Sequence, residues 1–252
     1  MTLLTELLRE SLNLQKFRLL NSQKCAMIME LTVKVNTPEN GSSLDTKERM
    51  DTPMNEKFFD LKKEKQDRMI NAALKIFSMR GYQFASTDDI VREAGISKGL
   101  LFHYFGSKLG LYGFIYDYSV RFMSMELKAA VDAEETNFFT LQRQIETGKL
   151  QVLKNYPWMQ LFLEKCNTED TAEVLTAIGE KKKDLASLYE SFASQADFQT
   201  LPVGTDSKKL QKILHCTLKN LMEEQALGGS MQVEALYREN IDYIDFLEKH
   251  FG

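Results

Sequence analysis

Four prolines, three cysteines and no long apolar run set the first limits on this 252-residue chain. The prolines (Pro38, Pro53, Pro157 and Pro202) leave long uninterrupted stretches rich in Leu, Lys, Glu and Met, residues that favour helices. Cys25, Cys166 and Cys216 are odd in number and widely spaced, which argues against a disulfide framework, and no CxxC or HExxH pair is present to hold a metal. They read as buried, reduced thiols. No segment is apolar enough to span a membrane, and the N-terminal MTLLTELLRESLNLQK carries Glu6, Arg9 and Glu10 where a signal peptide needs an apolar core. The chain therefore reads as cytoplasmic, with no membrane partner. A nucleophile elbow, a phosphate loop and a paired-carboxylate motif are missing too, so the expectation is no enzyme, no catalytic residue and no cofactor.

Positive charge is also short overall, the net being −4. Its distribution is uneven. Residues 57–108 hold ten Lys/Arg against six Asp/Glu, a balance of +4, while residues 109–252 hold fifteen against twenty-two, a balance of −7. A basic module thus precedes an acidic body, and a phosphate backbone responds to charge within about a Debye length rather than to the total.

With 43% apolar and 27% charged residues, the chain can bury a sizeable core. Residues 1–56 read as a flexible leader: Asn36 to Pro53 is polar and turn-rich, and Met50 and Met54 are plausible alternative starts. From Phe58 a helical period runs through Leu61, Met69, Ala72, Ala73, Ile76 and Phe77 and stops at Gly81. Ser86 caps a second short helix, with Asp88 and Asp89 in its first turn, and Gly95 ends it. Ser97 caps a third from Lys98 to Phe105, Gly106 breaks it, and Ser107 caps a longer helix from Lys108. Helices near 108–132, 136–155, 157–167, 169–197, 207–227 and 231–250 complete an all-α reading, with no alternating strand pattern in competition.

Two short helices joined at Gly95-Ile96-Ser97 form a helix-turn-helix. Leu101 and Phe105 face its small core, leaving Lys98, Gly99, Phe102 and His103 on the other side, a face suited to a major groove. Gly99, a poor helix former, either admits close approach to DNA or is tolerated in a first turn. Tyr104 either offers its hydroxyl to a phosphate or packs on the first helix. Phe102 either meets a thymine methyl or fills space.

The segment RMINAALKIFSMRGYQFASTDDIVREAGISKGLLFHYFGSKLGLY, Arg68 to Tyr112, resembles the DNA-binding domain of the tetracycline-repressor (TetR) family. The likeness lies in the apolar positions together with Gly81, Tyr82, Thr87 to Ile90, Ala94-Gly95, Ser97-Lys98-Gly99, His103, Phe105 and Ser107-Lys108. It implies a homodimer that binds double-stranded operator DNA and leaves it when a small-molecule effector enters the second domain. The implied organisation is a helix-turn-helix domain over 57–107 and an effector-binding and dimerisation domain over 108–252. Carried over by position, Lys98, Gly99, Phe102, His103, Tyr104 and Lys108 lie at the DNA, with Thr87 near a phosphate. Phe102 stands where the family usually has Tyr, Leu100 where a polar residue is common, and Leu109-Gly110 where a charged, helix-favouring pair is common.

In the acidic part, Phe138, Phe139, Tyr156, Trp158, Met159 and Phe162 gather around a helix break. They form either core or the wall of an effector pocket; on the second reading Phe138, Tyr156, Trp158, Met159 and Phe162 are the ligand-binding candidates and the effector is small and largely apolar or aromatic. Lys181-Lys182-Lys183 reads as a solvated face. Leu210, Ile213, Leu214, Thr217, Leu218 and Leu221, with Leu236, Ile241, Ile244 and Leu247, either pack within one chain or form the dimer surface of the last two helices. The function expected is a ligand-released repressor; the alternative is an accessory DNA-binding protein without an effector.

Overall fold

The computed structural model describes residues 57–179 and 181–252, and every regular element among them is helical. The leader expected over 1–56, including Cys25, lies outside these residues.

 The chain divides into two compact units at Gln66–Asp67. In the described part of the first, the Gln66 side-chain amide donates to the carbonyls of Phe59 (2.9 Å) and Leu61 (2.7 Å), closing a short turn ahead of the first long helix. The helical period expected from Phe58 is therefore interrupted: residues 57–59 are helical, 60–62 are not, and the long helix starts at Lys63.

The helices are α1 (Lys63–Phe84), α2 (Thr87–Ala94), α3 (Lys98–Phe105), α4 (Lys108–Ala130), α5 (Phe138–Leu153), α6 (Met159–Thr168), α7 (Ala172–Ile178), α8 (Lys182–Gln195), α9 (Ser207–Leu227) and α10 (Val233–Phe251). A single 3-10 turn, Phe198–Thr200, lies between α8 and α9. α1 is interrupted at Gly81, where φ is 66° and ψ 175°, so the helix expected to stop there does bend out of register. The long helix expected over 169–197 is two. Gly179, a weak helix former, follows α7, and α8 begins at Lys182.

Three caps set the geometry of the basic module. Ser86 accepts from the Asp88 amide (3.1 Å), Ser97 from the Leu100 amide (3.2 Å) and Ser107 from the Gly110 amide (2.9 Å), each satisfying one orphan N–H of a helix start. Gly95 ends α2 in the left-handed region at φ 63°, which turns the chain into α3 without the strain a Cβ would add. Gly110 has a second role that its weak helix propensity conceals. A Cβ there would lie 2.1 Å from the Phe105 carbonyl oxygen, so only glycine lets α4 begin so close to the end of α3.

The acidic helices pack around α5, which lies along α4 on one side and α10 on another. Arg143 of α5 pairs with Asp245 (2.7 Å) and Glu248 of α10. Two aromatic groups fill the space between the basic module and these helices. Phe77 and Tyr82 of α1 meet Tyr112 of α4 and Phe162 of α6, with Phe77–Tyr112 centroids 4.9 Å apart and Tyr112–Phe162 centroids 5.3 Å apart. Tyr118 and Phe122 of α4 meet Tyr156 edge-on at 5.6 and 5.2 Å. Offset and edge-on pairs of this kind contribute about 0.5–1.5 kcal/mol each beyond their buried area.

Candidate nucleic-acid interface and internal cavity

α3 is short, capped at both ends and two-sided. Leu101 and Phe105 are buried at 1% and 5% exposure, as the sequence requires for the face that holds the helix to its neighbours. On the outer side Lys98, Gly99 and His103 are exposed and Phe102 is half-buried. A Cβ built on Gly99 meets nothing within 4 Å, so the fold itself does not demand glycine there. Thr87 is half-buried at the first helical position of α2. Lys98 reaches Asp88 at 2.9 Å, tying the first turns of α2 and α3 together through exposed side chains.

Other basic residues of this region are also answered by its own acids. Arg80 and Arg92 both pair with Asp89, and Lys75 with Glu93 at 2.7 Å. Exposed pairs of this kind contribute only about 0–1 kcal/mol each, so phosphates can replace the carboxylates as partners.

Two polar ties link this region to the acidic helices. The Tyr82 amide donates to Glu169 Oε2 (3.2 Å), just beyond α6, while the Tyr82 carbonyl accepts from Lys108 Nζ (2.9 Å) at the start of α4. Burial and the neighbouring Glu173 carboxylate push the Tyr82 hydroxyl up to about 12. Burial works against ionisation of Glu169, but hydrogen bonds from the Thr171 hydroxyl and amide and from the Tyr82 amide outweigh it and hold the carboxyl below its usual value. Further along α1, the Ser78 hydroxyl donates to the Trp158 carbonyl (3.2 Å), the Asn71 amide to the Asn155 carbonyl (3.1 Å), and Asp67 accepts from the Tyr156 hydroxyl (2.7 Å). Sequence reasoning missed this set; its signal is three polar residues, Asp67, Asn71 and Ser78, set among the apolar positions of α1.

A cavity of about 720 Å³ opens among α4, α5, α6, α8 and α9. Its apolar wall includes Met123, Phe138, Ile145, Leu163, Leu214 and Leu218. Inside it, Lys149 pairs with the buried Glu146 (2.8 Å), whose other oxygen accepts from Asn240 (2.8 Å). Burial disfavours the Lys149 ammonium, yet the adjacent Glu146 carboxylate more than compensates, and the amine is held above its ordinary value. Lys182, Lys212, His215 and Lys219 also line the cavity.

The profile described as "Bacterial regulatory proteins, tetR family" matches residues 69–113, the stretch from α1 through α3 into α4. The chain carries the DNA-binding domain of the TetR family. A helix-turn-helix-type transcriptional regulator of Bacillus subtilis, YuxN, is 29% identical over 117 residues, covering 44% of this chain and 38% of the relative. The transcriptional activator FasR of Mycolicibacterium smegmatis is 43% identical over 49 residues, covering 19% of this chain and 22% of the relative. The chain thus matches well under half the length of these relatives. A TetR-family regulator of Chloroflexus aurantiacus, solved as a crystal structure, aligns over 78% of this chain and 97% of its own, with 21% identity and a TM-score of 0.47.

Of the positions carried over from the TetR family, two make contacts within the chain. Tyr104 is 8% exposed and packs edge-on between the rings of His103 (5.0 Å) and Phe105 (6.4 Å), which favours the packing role over a phosphate contact. Lys108 turns inward: besides the Tyr82 carbonyl it approaches those of Ala85 (3.3 Å) and Gln83 (3.4 Å), and its ammonium sits 4.4 Å from the centre of the Tyr82 ring. Helix geometry predicted the position of this lysine but not the three carbonyls that converge on it.

The effector candidates change more. Phe138 lines the cavity, but Tyr156, Trp158, Met159 and Phe162 do not; they are 1%, 7%, 0% and 1% exposed and belong to the packing against α1 and α4. Lys182, read as solvated surface, is a wall residue instead, whereas Lys181 pairs with Asp117 at 2.7 Å. Cys166 is buried against the Tyr112 hydroxyl (3.0 Å), while Cys216 is exposed, against expectation. Leu210, Leu214, Leu218, Leu221, Leu236, Ile244 and Leu247 are all buried within the chain. Of the expected set Ile213 is exposed, and the other apolar side chains that α9 and α10 leave exposed are Tyr243 and Phe246, with Leu227 and Phe251 at the helix ends.

Proposed function

We propose that this TetR-family chain is a dimeric transcriptional regulator that binds double-stranded operator DNA through α3 and releases it when a small molecule occupies the cavity. On this reading, residues 57–107 form the DNA-binding part and residues 108–252 the effector-binding and dimerisation part. Lys98, Gly99, Phe102 and His103 face the groove, with Thr87 at a phosphate. The protein works in the cytoplasm, where such DNA lies, and not as an enzyme. The exposed stripe of Tyr243 and Phe246 on α10, with Ile213 on α9, supports pairing through the last two helices. One helix-turn-helix contacts too few base pairs for useful specificity, and two-fold pairing sets recognition helices about 34–36 Å apart, one turn of DNA.

The observation that carries the effector part is the position of the cavity. Its wall includes Asn167 near the end of α6, two residues before Glu169, which holds the Tyr82 amide. Its wall also includes Tyr116 and Met123 of α4, the helix that starts at Lys108 directly after α3. A ligand that favours one spacing of α4 and α6 over another therefore acts on the basic module from two sides, and a tenfold change in DNA affinity needs about 1.4 kcal/mol of such preference. This favours an effector-controlled regulator over an accessory DNA-binding protein. The test is selection of duplexes from a random pool on the full chain. Enrichment of a pseudo-palindrome with half-sites about one turn apart is expected, and a protein that retains all duplexes equally refutes the reading.

A further inference from the structure

Building on the proposed effector site, we infer that the cavity takes an amphipathic anion: an apolar chain or ring body carrying one carboxylate or phosphate group. Four lysines and two glutamates line the space, an excess of +2, although residues 109–252 together carry −7. The pairing inside the cavity sharpens this contrast. Glu146 is already engaged by Lys149 and Asn240. Lys182, Lys212 and Lys219 have no ion pair among the described residues. In a helical body so rich in acids, three unpaired lysines turned to one concavity leave a focused positive potential.

Helix periodicity explains how one site presents both chemistries. On α9, Lys212, His215 and Lys219 follow one row, and Leu214 and Leu218 the adjacent row, so the same helix supplies cations beside an apolar strip. Lys182 opens α8, and Leu185 and Tyr189 follow it at helical spacing. Met123, Phe138, Ile145 and Leu163 add further apolar wall. Glu164 is the other carboxylate of the lining, so a neutral hydrophobic ligand would leave at least two of the three ammonium groups unanswered, and a cation would meet their repulsion. The volume of about 720 Å³ is within the range of sites that enclose a drug-sized or medium-chain molecule.

Calorimetry on the full chain without DNA tests this, using dodecanoate, dodecyl phosphate, dodecan-1-ol and dodecyltrimethylammonium below their micelle concentrations. At least one anion is expected to bind tenfold or more tightly than the alcohol, with the cation weakest; the tighter anion identifies the head group. A Lys182→Gln/Lys212→Gln/Lys219→Gln chain is expected to bind the anions within threefold of the alcohol, with alcohol binding unchanged as the measure of an intact cavity. No binding of either anion, an alcohol that binds as tightly, or an anion preference that survives the triple substitution overturns the inference. DNA release is read separately on the selected duplex. Anions that bind without weakening DNA retention remove the effector reading and leave the ligand class standing.

Discussion

A Lys108→Met chain keeps most of the apolar stem and loses the ammonium that three carbonyls share. The Tyr82 bond at 2.9 Å is well formed, whereas those to Ala85 at 3.3 Å and Gln83 at 3.4 Å are long. Tyr82 and Ala85 are each 4% exposed, so water replaces the lost donor poorly at two of the three. A hydrogen bond from a charged group contributes about 1.5–3 kcal/mol, and the cation–π contact with Tyr82 about 0.5–1 kcal/mol. Because Lys108 is only half-buried and two bonds are long, a net loss of about 2 kcal/mol is expected. For a chain of this size that lowers Tm by about 4–8 °C in a thermal melt. Operator affinity measured from low to high salt separates this role from a phosphate contact. The salt slope of Lys108→Met should equal that of the parent chain, since no phosphate partner is removed. An unchanged Tm together with a slope reduced by about one unit would show that Lys108 leaves its carbonyls for the DNA, and the structural argument would fail.

Lys98→Ala should do the reverse: an unchanged melt, weaker binding to all duplexes, and a salt slope smaller by about 0.9; equal affinity at every salt concentration removes Lys98 from the interface. Glu169→Gln loses the charge that strengthens the Tyr82 amide bond, so hydrogen exchange of that amide should quicken about tenfold while the α5 amides stay protected; unchanged exchange at Tyr82 refutes the tie. Because the Glu169 carboxyl is held below its usual value, its stabilising effect is complete above the ordinary carboxylate range and is lost as pH falls through the lowered value, so the protection of the Tyr82 amide relative to its intrinsic exchange rate should fall only in acid. Phe246→Glu places a charge on the exposed α10 stripe and should turn a dimer into a monomer at micromolar concentration by light scattering; a persistent dimer puts the interface elsewhere.

The basic module was legible because its signals are local. Ser86, Ser97 and Ser107 cap helices, Gly95 turns the chain, and Leu101 and Phe105 repeat at four residues, so the boundaries of α2 and α3 follow from short-range chemistry. The acidic part was legible only as helices. Which faces meet depends on contacts distant in sequence, and aromatic content alone cannot separate core from pocket. Tyr156 shows the reason: its ring fits between Tyr118 and Phe122 while its hydroxyl reaches Asp67, eighty-nine residues away. The cavity instead uses residues that look like ordinary surface in sequence, Lys182 and Lys219 among them, because a helix flanking a concavity presents its polar row to the opening. The contacts of Lys108 were hidden for a related reason: the sequence shows a lysine at a helix start but not the carbonyls it meets.

Tyr82 is where these long-range contacts converge. Its amide is held by Glu169, which follows the cavity-lining α6, and its carbonyl by Lys108, which begins the cavity-lining α4. Its ring packs on Tyr112 at 5.2 Å, and it stands directly after the break at Gly81 and four residues before the cap of α2. A displacement of α6 would thus pull on one side of this residue and a tilt of α4 on the other. The break at Gly81 matters to such a device, because a continuous α1 would resist rotation at this point, whereas a residue at φ 66° already separates the helix body from the corner that leads to α2. The main body of α1 is fixed to the Asn155–Trp158 corner by Asn71, Ser78 and Asp67. On the proposed effector mechanism, relative movement would therefore be concentrated between Gly81 and Ser86, immediately upstream of the helices that would meet DNA.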